Sequence, residues 1–423
     1  MISRFSRIFR LGILLVAVSA VPCMSAENAN SDEAYNHFLA GKILFEQEKY
    51  DSAVEAYEKA IKLDGGNPTF HFYLGAAYYK KEDFEKALDS YKRAVSLDGR
   101  QAFYHYHLGK CQERLGKMDE AVASLQKAIQ LYSGNHYFHN RLGSVLYAMG
   151  RYEEAVPEFQ EACRLSPNEG IYHYNLARAL HNQGKLEEAI LEYQTALRSG
   201  EKDPDYLYRL AGAFFQLSRL PESRMAYQEA VVLAPQEPEY LNGLGNTFFA
   251  EEKYKEAAEC FEKAIKLSPG ESTYYYNLGR TQEGRLRFVE AEKAYLRALE
   301  LNPQEEEFYN RIGNLYYSQY RFEEAIVVYK KALALNDRNA TYHYNLARSY
   351  HYLKKLPEAL AEYEKTITLN GEDAYAYYYL GVLEKETGQR DKALDAFRVA
   401  YRKAKEISLK AEADREIHKL ESK

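Results

Sequence analysis

The sequence of 423 residues contains no tryptophan, only four cysteines and only eleven prolines. Its longest apolar run, residues 11–21, has 11 residues, too few to cross a bilayer as a helix. Beyond the N-terminal region the cysteines are Cys111, Cys163 and Cys260, an odd number without any CxxC spacing. We therefore expect neither a disulfide framework nor a cysteine-bound metal.

A large excess of charge of either sign is also missing. The formal net charge is −6, and removing the three arginines of residues 1–26 leaves −9. A mildly acidic chain argues against general binding to nucleic acid or to an anionic membrane. Nucleic acid is therefore not among the expected partners.

Residues 1–26 have the features of a signal peptide. The basic stretch MISRFSRIFR precedes the apolar run, and Cys23 and Ser25 fit a cleavage site with small residues. An uncleaved anchor and a lipidated Cys23 remain as alternatives, although Pro22 is a poor neighbour for a lipidated cysteine. We expect export to a bacterial periplasm or cell envelope, with membrane attachment only if Cys23 is lipidated. Residues 27–33 are predicted to be a short linker.

Small residues recur every 34 residues from Ala34 to Ile407 without insertion or deletion. Position 8 of this repeat is glycine or alanine throughout, positions 20 and 27 are alanine in ten of eleven copies, and position 24 is aromatic in ten. Small residues would let two helices approach closely, and the aromatic ring would fill the space beside them. Glycine at position 15 in four copies predicts a helix C-cap. The predicted repeats are 34–67, 68–101, 102–135, 136–169, 170–203, 204–237, 238–271, 272–305, 306–339, 340–373 and 374–407.

This pattern resembles the tetratricopeptide repeat (TPR) family, whose copies carry Leu-Gly, Ala, an aromatic residue, Ala and Pro at matching offsets. The resemblance implies an all-α fold, a right-handed α-solenoid of about eleven helix-turn-helix repeats. One departure is that position 4 is never tryptophan and is histidine in six copies. Residues 408–423 carry an apolar stripe and are predicted to be a C-terminal capping helix. Because no helix breaker follows Gly388, the last repeat helix is expected to run on into this segment.

Three copies share a phrase rich in tyrosine: IYHYNLAR at 171–178, TYYYNLGR at 273–280 and TYHYNLAR at 341–348. Successive helical residues point about 100° apart, so positions 3, 4 and 5 cannot share one face. We expect position 3 to pack on the preceding repeat and position 4 to face the second helix of its own repeat. The resemblance places the remaining stripe, with position 5, in a concave groove. Tyrosine there suits recognition, and packing on neighbouring residues is the alternative.

Positions 2, 5, 6 and 9 together hold eight cations and three anions. Arginine offers a planar fork to carboxylates, and asparagine offers a donor and an acceptor to a peptide backbone. We therefore hypothesise an exported protein-interaction scaffold that binds an extended or acidic peptide, or a free C-terminal carboxylate. The alternatives are a solvated charged face and a module that binds an anionic envelope polysaccharide. The candidate groove residues are Lys110, Arg141, Tyr174, Asn175, Arg178, Arg209, Asn246, Tyr276, Asn277, Arg280, Arg311, Asn314, Tyr344, Asn345 and Arg348.

Catalytic motifs are missing: the chain has no HExxH, GxSxG or GxxxxGK[ST] sequence. Histidines repeat at position 4, but helices packed about 8–10 Å apart cannot bring equivalent histidines to one metal ion. A packing role is the expectation for these histidines. The repeats, the signal peptide and the capping helix also leave no length for a catalytic domain. We expect no enzymatic activity, no cofactor and no metal. The histidines are His37, His71, His105, His139, His173 and His343.

Overall fold

The computed structural model describes residues 26–199 and 202–422. The chain divides into two compact units, Met1–Lys185 and Leu186–Lys423. The division falls inside the fifth predicted repeat. All regular structure in the described residues is helical.

The first unit contains four helix pairs and the first helix of the fifth repeat. Each helix packs on the next one along the chain, and the short turns make neighbouring helices antiparallel. Its helices are α1 (Ala26–Glu46), α2 (Tyr50–Leu63), α3 (Pro68–Lys80), α4 (Phe84–Leu97), α5 (Ala102–Arg114), α6 (Met118–Leu131), α7 (His136–Ala148), α8 (Tyr152–Leu165) and α9 (Gly170–Asn182).

The second unit begins with the second helix of the fifth repeat and repeats the same antiparallel pairing. Each unit is therefore an all-α solenoid, as predicted. Its helices are α10 (Leu186–Arg198), α11 (Pro204–Gln216), α12 (Leu220–Leu233), α13 (Pro238–Ala250), α14 (Tyr254–Leu267), α15 (Ser272–Gly284), α16 (Phe288–Leu301), α17 (Glu306–Ser318), α18 (Phe322–Leu335), α19 (Ala340–Tyr352), α20 (Leu356–Leu369), α21 (Ala374–Glu386), α22 (Arg390–Lys403) and α23 (Ile407–Glu421).

Position 15 turns the chain between the two helices of every repeat. Its backbone is left-handed in all eleven copies, with φ between 57° and 78°. Glycine adopts this conformation without steric cost, and four copies use it, as the sequence predicts. The other seven copies hold residues with a side chain in the same conformation: Glu48, Glu82, Ser218, Glu252, Leu286, Tyr320 and Lys354.

The core of each repeat is built from the small residues and the aromatic ring that define the period. A Cβ atom added to Gly279, at position 8, would lie 2.5 Å from the ring of Tyr295, at position 24. That ring is fully buried, as are Ala291 and Ala298 at positions 20 and 27. Close packing of two helices around one aromatic side chain is therefore confirmed, and it explains why position 8 carries only the two smallest residues.

The first helix starts earlier than expected. α1 begins at Ala26, so residues 27–33, predicted as a linker, are helical. The segment lacks glycine and proline, and it carries alanine and glutamate, which are good helix formers. The signal peptide predicted for residues 1–26 lies almost entirely outside the described residues.

The last repeat helix does not run on into the capping segment. α22 ends at Lys403, Ala404 takes an extended backbone conformation, and a separate helix, α23, follows. Folding back buries Leu409, Ala413 and Leu420, which a continuous helix would leave in solvent. Burial of these side chains outweighs continued helix formation, and α23 covers α22 at the end of the second unit.

Candidate functional site

The aromatic residues at positions 3 and 5 stack between neighbouring repeats. The ring centre of Tyr276, at position 5, lies 4.9 Å from that of Phe308, at position 3 of the next repeat, with 24° between the ring planes. Tyr276 also lies 5.9 Å from Tyr295 of its own repeat. Position 3 therefore packs on the preceding repeat, as predicted. The same stacking joins Phe72 to Tyr104, Tyr106 to Phe138 and Tyr208 to Tyr240.

The rings at position 5 therefore take a larger part in packing between repeats than the recognition hypothesis assumes. Tyr174, Tyr276 and Tyr344 are only half-exposed. Burial raises the pKa of the Tyr276 hydroxyl above its ordinary value. The geometry favours the packing alternative for Tyr276, because Phe308 of the next repeat covers one of its faces. The periodicity of one helix cannot predict this contact, because the covering ring belongs to the next repeat.

The histidines at position 4 hold the turn that precedes their own helix. His71 and His105 each place Nε2 within 3.1 Å of a backbone carbonyl oxygen six residues earlier. His139 makes the same contact to Ser133, and its Nδ1 lies 2.7 Å from Glu158 on the second helix of the repeat. Position 4 thus faces its own repeat, as predicted, and these histidines serve the turns.

Four of the five cations at position 9 lie over aromatic rings at position 12 of the preceding repeat, and Lys42, in the first repeat, lies 5.4 Å from the ring centre of Tyr73. In each of these four cases an aromatic residue at position 5 of the cation's own helix also lies 5.5–5.9 Å from the cation. Such cation–π contacts contribute about 0.5–2 kcal/mol each. The pairs are Lys110 with Tyr79 at 5.1 Å, Arg178 with Tyr147 at 4.6 Å, Arg280 with Phe249 at 4.5 Å and Arg348 with Tyr317 at 4.4 Å.

Sequence reasoning missed the position-12 rings. Each arginine of the three phrases follows its aromatic partner by 31 residues: Tyr147 before Arg178, Phe249 before Arg280 and Tyr317 before Arg348. This constant spacing was a detectable signal. The position-9 row, defined here as Lys42, Lys110, Arg178, Arg280 and Arg348, is therefore positioned by residues of two repeats.

The arginines at position 6 are engaged differently. Arg141 lies 3.3 Å from Glu113, and Arg311 lies 3.3 Å from Glu283; both glutamates occupy position 12 of the preceding repeat. Arg209 lies 5.7 Å from the ring centre of Tyr208. Ion pairs within the protein already compensate the charges of Arg141 and Arg311, so these two arginines add less positive charge to a groove than two unpaired arginines would.

The candidate asparagines bond mostly to one another. The side-chain nitrogen of Asn277 donates to Asn242, 2.9 Å away in the preceding repeat, and Asn175 and Asn345 donate to Asn140 and Asn310 in the same way. Asn314 accepts from Tyr329 at 2.7 Å. These amides link successive repeats. Asn246 lies half-buried on α13.

Position 2 differs between the two units. In the first unit it carries exposed apolar side chains beside the position-9 row: Tyr35, Phe103, Tyr137 and Ile171, between 44% and 53% exposed. In the second unit three of its six residues are acids, Asp205, Glu239 and Glu307, and neighbouring tyrosines use two of them. Tyr240 donates to Asp205, and Tyr342 donates to Glu307. The first helices of the two units thus present different chemistry.

Within residues 26–199 and 202–422, no helix has the length and apolar character that a membrane span requires. The same residues contain no group of three or more histidine, cysteine or acidic side chains arranged to hold a metal ion.

Comparison with models of known protein families shows to which family the chain belongs. Profiles described as TPR repeat match residues 41–82 and 313–353. Profiles described as tetratricopeptide repeat match residues 68–100, 100–167, 140–204, 192–238, 238–271, 272–305 and 352–406. The chain belongs to the tetratricopeptide repeat family. The repeats support a role for this chain as a scaffold for protein–protein interaction, and TPR scaffold proteins are generally non-enzymatic.

Solved TPR structures resemble the chain at low identity. Yeast Tom70 is 16% identical, with 93% of this chain and 96% of that chain covered and a TM-score of 0.46. YrrB, described as a TPR protein with an unusual peptide-binding site, is 21% identical over 42% of this chain and 92% of its own, with a TM-score of 0.39. MamA is 25% identical over 41% of this chain and 96% of its own, with a TM-score of 0.39. No curated protein gave a significant match.

Proposed function

We propose that this TPR protein is an exported scaffold that binds extended, acidic segments of partner proteins along its first helices. One observation carries the proposal. None of the position-9 cations has a carboxylate within ion-pair distance among the described residues. By contrast, arginines such as Arg164 and Arg219 form ion pairs with glutamates at 2.6 and 2.8 Å.

The position-9 row is suited to anionic groups because its cations are held in place before a ligand arrives. Arg280 lies between Phe249 and Tyr276, with ring centres 4.5 and 5.8 Å from its guanidinium carbon. Contact with two rings restricts the side chain, so binding orders less of it. The guanidinium nitrogens still offer donors to a carboxylate, which they can bind in a bidentate manner. Acidic side chains and a free C-terminal carboxylate would both satisfy these donors.

The first unit favours a segment that also carries apolar side chains. Phe103, Tyr137 and Ile171 lie about half-exposed in three successive repeats, next to Lys110 and Arg178. Apolar side chains on the segment would cover these residues while its acids meet the cations. Aromatic side chains flanked by cations would also suit an anionic polysaccharide, which is the competing ligand class.

Export is proposed from residues 1–26 alone. Their basic start, short apolar run and small residues near Ser25 are typical of a signal peptide. We propose the periplasm or cell envelope of a bacterium as the location, with membrane attachment if Cys23 is lipidated. Cell fractionation with and without the first 26 residues tests this. Retention of the full chain in the cytoplasm would contradict it.

The groove is tested by fluorescence anisotropy with a labelled glutamate-rich peptide. We expect the variant with Arg178, Arg280 and Arg348 changed to Gln to bind at least tenfold more weakly, since one charge-assisted hydrogen bond contributes about 1.5–3 kcal/mol. The matched control changes Arg164, Arg219 and Arg297 to Gln, which removes the same charge from residues already paired with glutamates. Equal weakening in both variants would mean that net charge alone causes the effect, and it would refute the proposed groove site. Binding to an array of acidic glycans, without binding to the peptide, would favour the polysaccharide.

A further inference from the structure

A cavity of about 250 Å³ opens among α19, α20 and α21 in the second unit. Its lining combines apolar and aromatic side chains with charged and polar groups, the usual composition of a small-ligand pocket. The lining residues are Arg348, His351, Tyr352, Lys354, Tyr363, Tyr379, Val382 and Glu386.

The cavity lies where the arginine of repeats five, eight and ten has no counterpart. In repeats five, eight and ten, an arginine at position 9 extends over the position-12 ring of the preceding repeat. In repeat eleven, position 9 is Val382, and position 12 of repeat ten is His351. The valine side chain is too short to reach over the imidazole as arginine does over its ring. The space that an arginine fills elsewhere therefore stays open.

The charge on the cavity wall is not balanced. Glu386 is the one carboxylate in the lining, and it is already bonded to Lys354 at 2.8 Å and lies 3.5 Å from His351. Arg348 has no carboxylate partner in the described part of the chain, and its Nε is buried without any hydrogen bond. A buried donor left unpaired costs about 1–3 kcal/mol. An anion in the cavity would pair with the guanidinium charge of Arg348, which no carboxylate offsets.

The histidine in the wall adds little positive charge at neutral pH. Burial lowers the pKa of His351, although the neighbouring Glu386 opposes the shift. The side chains that face its ring are Tyr363 from α20, Glu386 from α21, and Lys354 from its own repeat. Arg348 is therefore the group that an anionic ligand would meet unpaired.

We propose that this cavity is a binding site for a small carboxylate carried on a compact apolar body. The carboxylate oxygens accept hydrogen bonds from Arg348, and the apolar body lies against Tyr379 and Val382. The proposal deepens the proposed function, because Arg348 also belongs to the position-9 row. Two sources share this chemistry: a free organic acid, and the last residue of a protein chain with an apolar side chain.

Isothermal titration calorimetry of the full chain with 3-phenylpropanoate tests the site, with 3-phenylpropanamide as the uncharged probe. We expect saturable binding of the acid and at least tenfold weaker binding of the amide. Val382→Met should abolish binding of the acid, because it fills the cavity without altering a charge. Arg348→Gln should weaken binding tenfold or more, while Arg297→Gln, which removes the same charge from a residue already paired with Glu300, should have no effect. Equal affinity for acid and amide, or full binding by Val382→Met, would overturn the proposal.

Two peptides ending in phenylalanine, one with a free and one with an amidated C-terminus, separate the two sources. Tighter binding of the free-carboxylate peptide than of phenylpropanoate would assign the site to protein C-termini, and the reverse order to a free acid. The glutamate-rich peptide, titrated into Val382→Met, separates this proposal from the groove. If the cavity proposal fails alone, that peptide still binds; if the groove fails alone, phenylpropanoate still binds. Circular dichroism of each variant confirms that it folds.

Discussion

The left-handed turn at position 15 permits a clean test of backbone energetics. Gly150 has φ of 73°, and a Cβ atom added there would meet no atom within 4 Å. A Gly150→Ala substitution therefore changes conformational energy without any clash or lost contact. The left-handed conformation costs a residue with a side chain about 1–2 kcal/mol. Alanine also loses less backbone entropy on folding, which recovers about 0.4–1 kcal/mol. We expect a net destabilisation of about 1 kcal/mol.

The reverse substitution at an equivalent turn should stabilise the protein. Leu286 has φ of 59° and a side chain that is 74% exposed, so Leu286→Gly relieves the backbone with little loss of burial. Urea unfolding followed by circular dichroism measures both variants, with Glu153→Ala on the exposed face of α8 as a control within about 0.5 kcal/mol of the parent. Repeat arrays unfold in parts, so midpoints are compared only where the slopes agree. An unchanged midpoint for Gly150→Ala, or equal destabilisation by both turn variants, would refute the reasoning.

Three further outcomes are expected. His139 faces two acceptors, Glu158 and a backbone carbonyl, so both of its ring nitrogens must donate. Burial disfavours the charged imidazolium, but the two hydrogen bonds outweigh burial and raise the pKa of His139. Its stabilisation should be complete below about pH 6.5 and be lost as pH rises through the raised pKa, and Glu158→Gln should abolish this trend in urea midpoints measured across pH. Gly279→Val should cost about 1–3 kcal/mol in the same assay by crowding the buried Tyr295 ring, and an unchanged midpoint would contradict the close packing. Leu409→Ala should release α23 before the repeats unfold, seen as faster hydrogen exchange confined to that helix, and uniform exchange would argue against a separate cap.

The sequence period predicts the core well because its cause is local. Position 8 must be small since the ring at position 24 of the same repeat lies against it, as Gly279 and Tyr295 show. Two helices joined by a short turn determine that contact, so it recurs at all eight glycines of position 8, with Leu125 in place of the ring in the third repeat. The turn residues at position 15 are predictable for the same reason, because the turn is also a local structure.

The groove was harder to predict because its residues take partners from neighbouring repeats. Tyr276 looked free on its own helix, yet Phe308 covers it from the next repeat. Asn277 looked available to a ligand, yet it donates to Asn242 of the preceding repeat. The cation of Arg280 was predicted, but the Phe249 ring beneath it was not. A pattern read one helix at a time identifies which residues face outward and misses what the adjacent helix places against them.

Sharing of each cation between two repeats also constrains how such a protein could have grown by gene duplication. Copying repeat ten alone would place His351, rather than Tyr317, before the new copy of Arg348. The duplicated arginine would lose the ring that positions it, although the fold would survive. Copying repeats nine and ten together would carry Tyr317 and Arg348 as a matched pair. The inheritable unit of the binding surface is therefore two repeats long, whereas that of the fold is one.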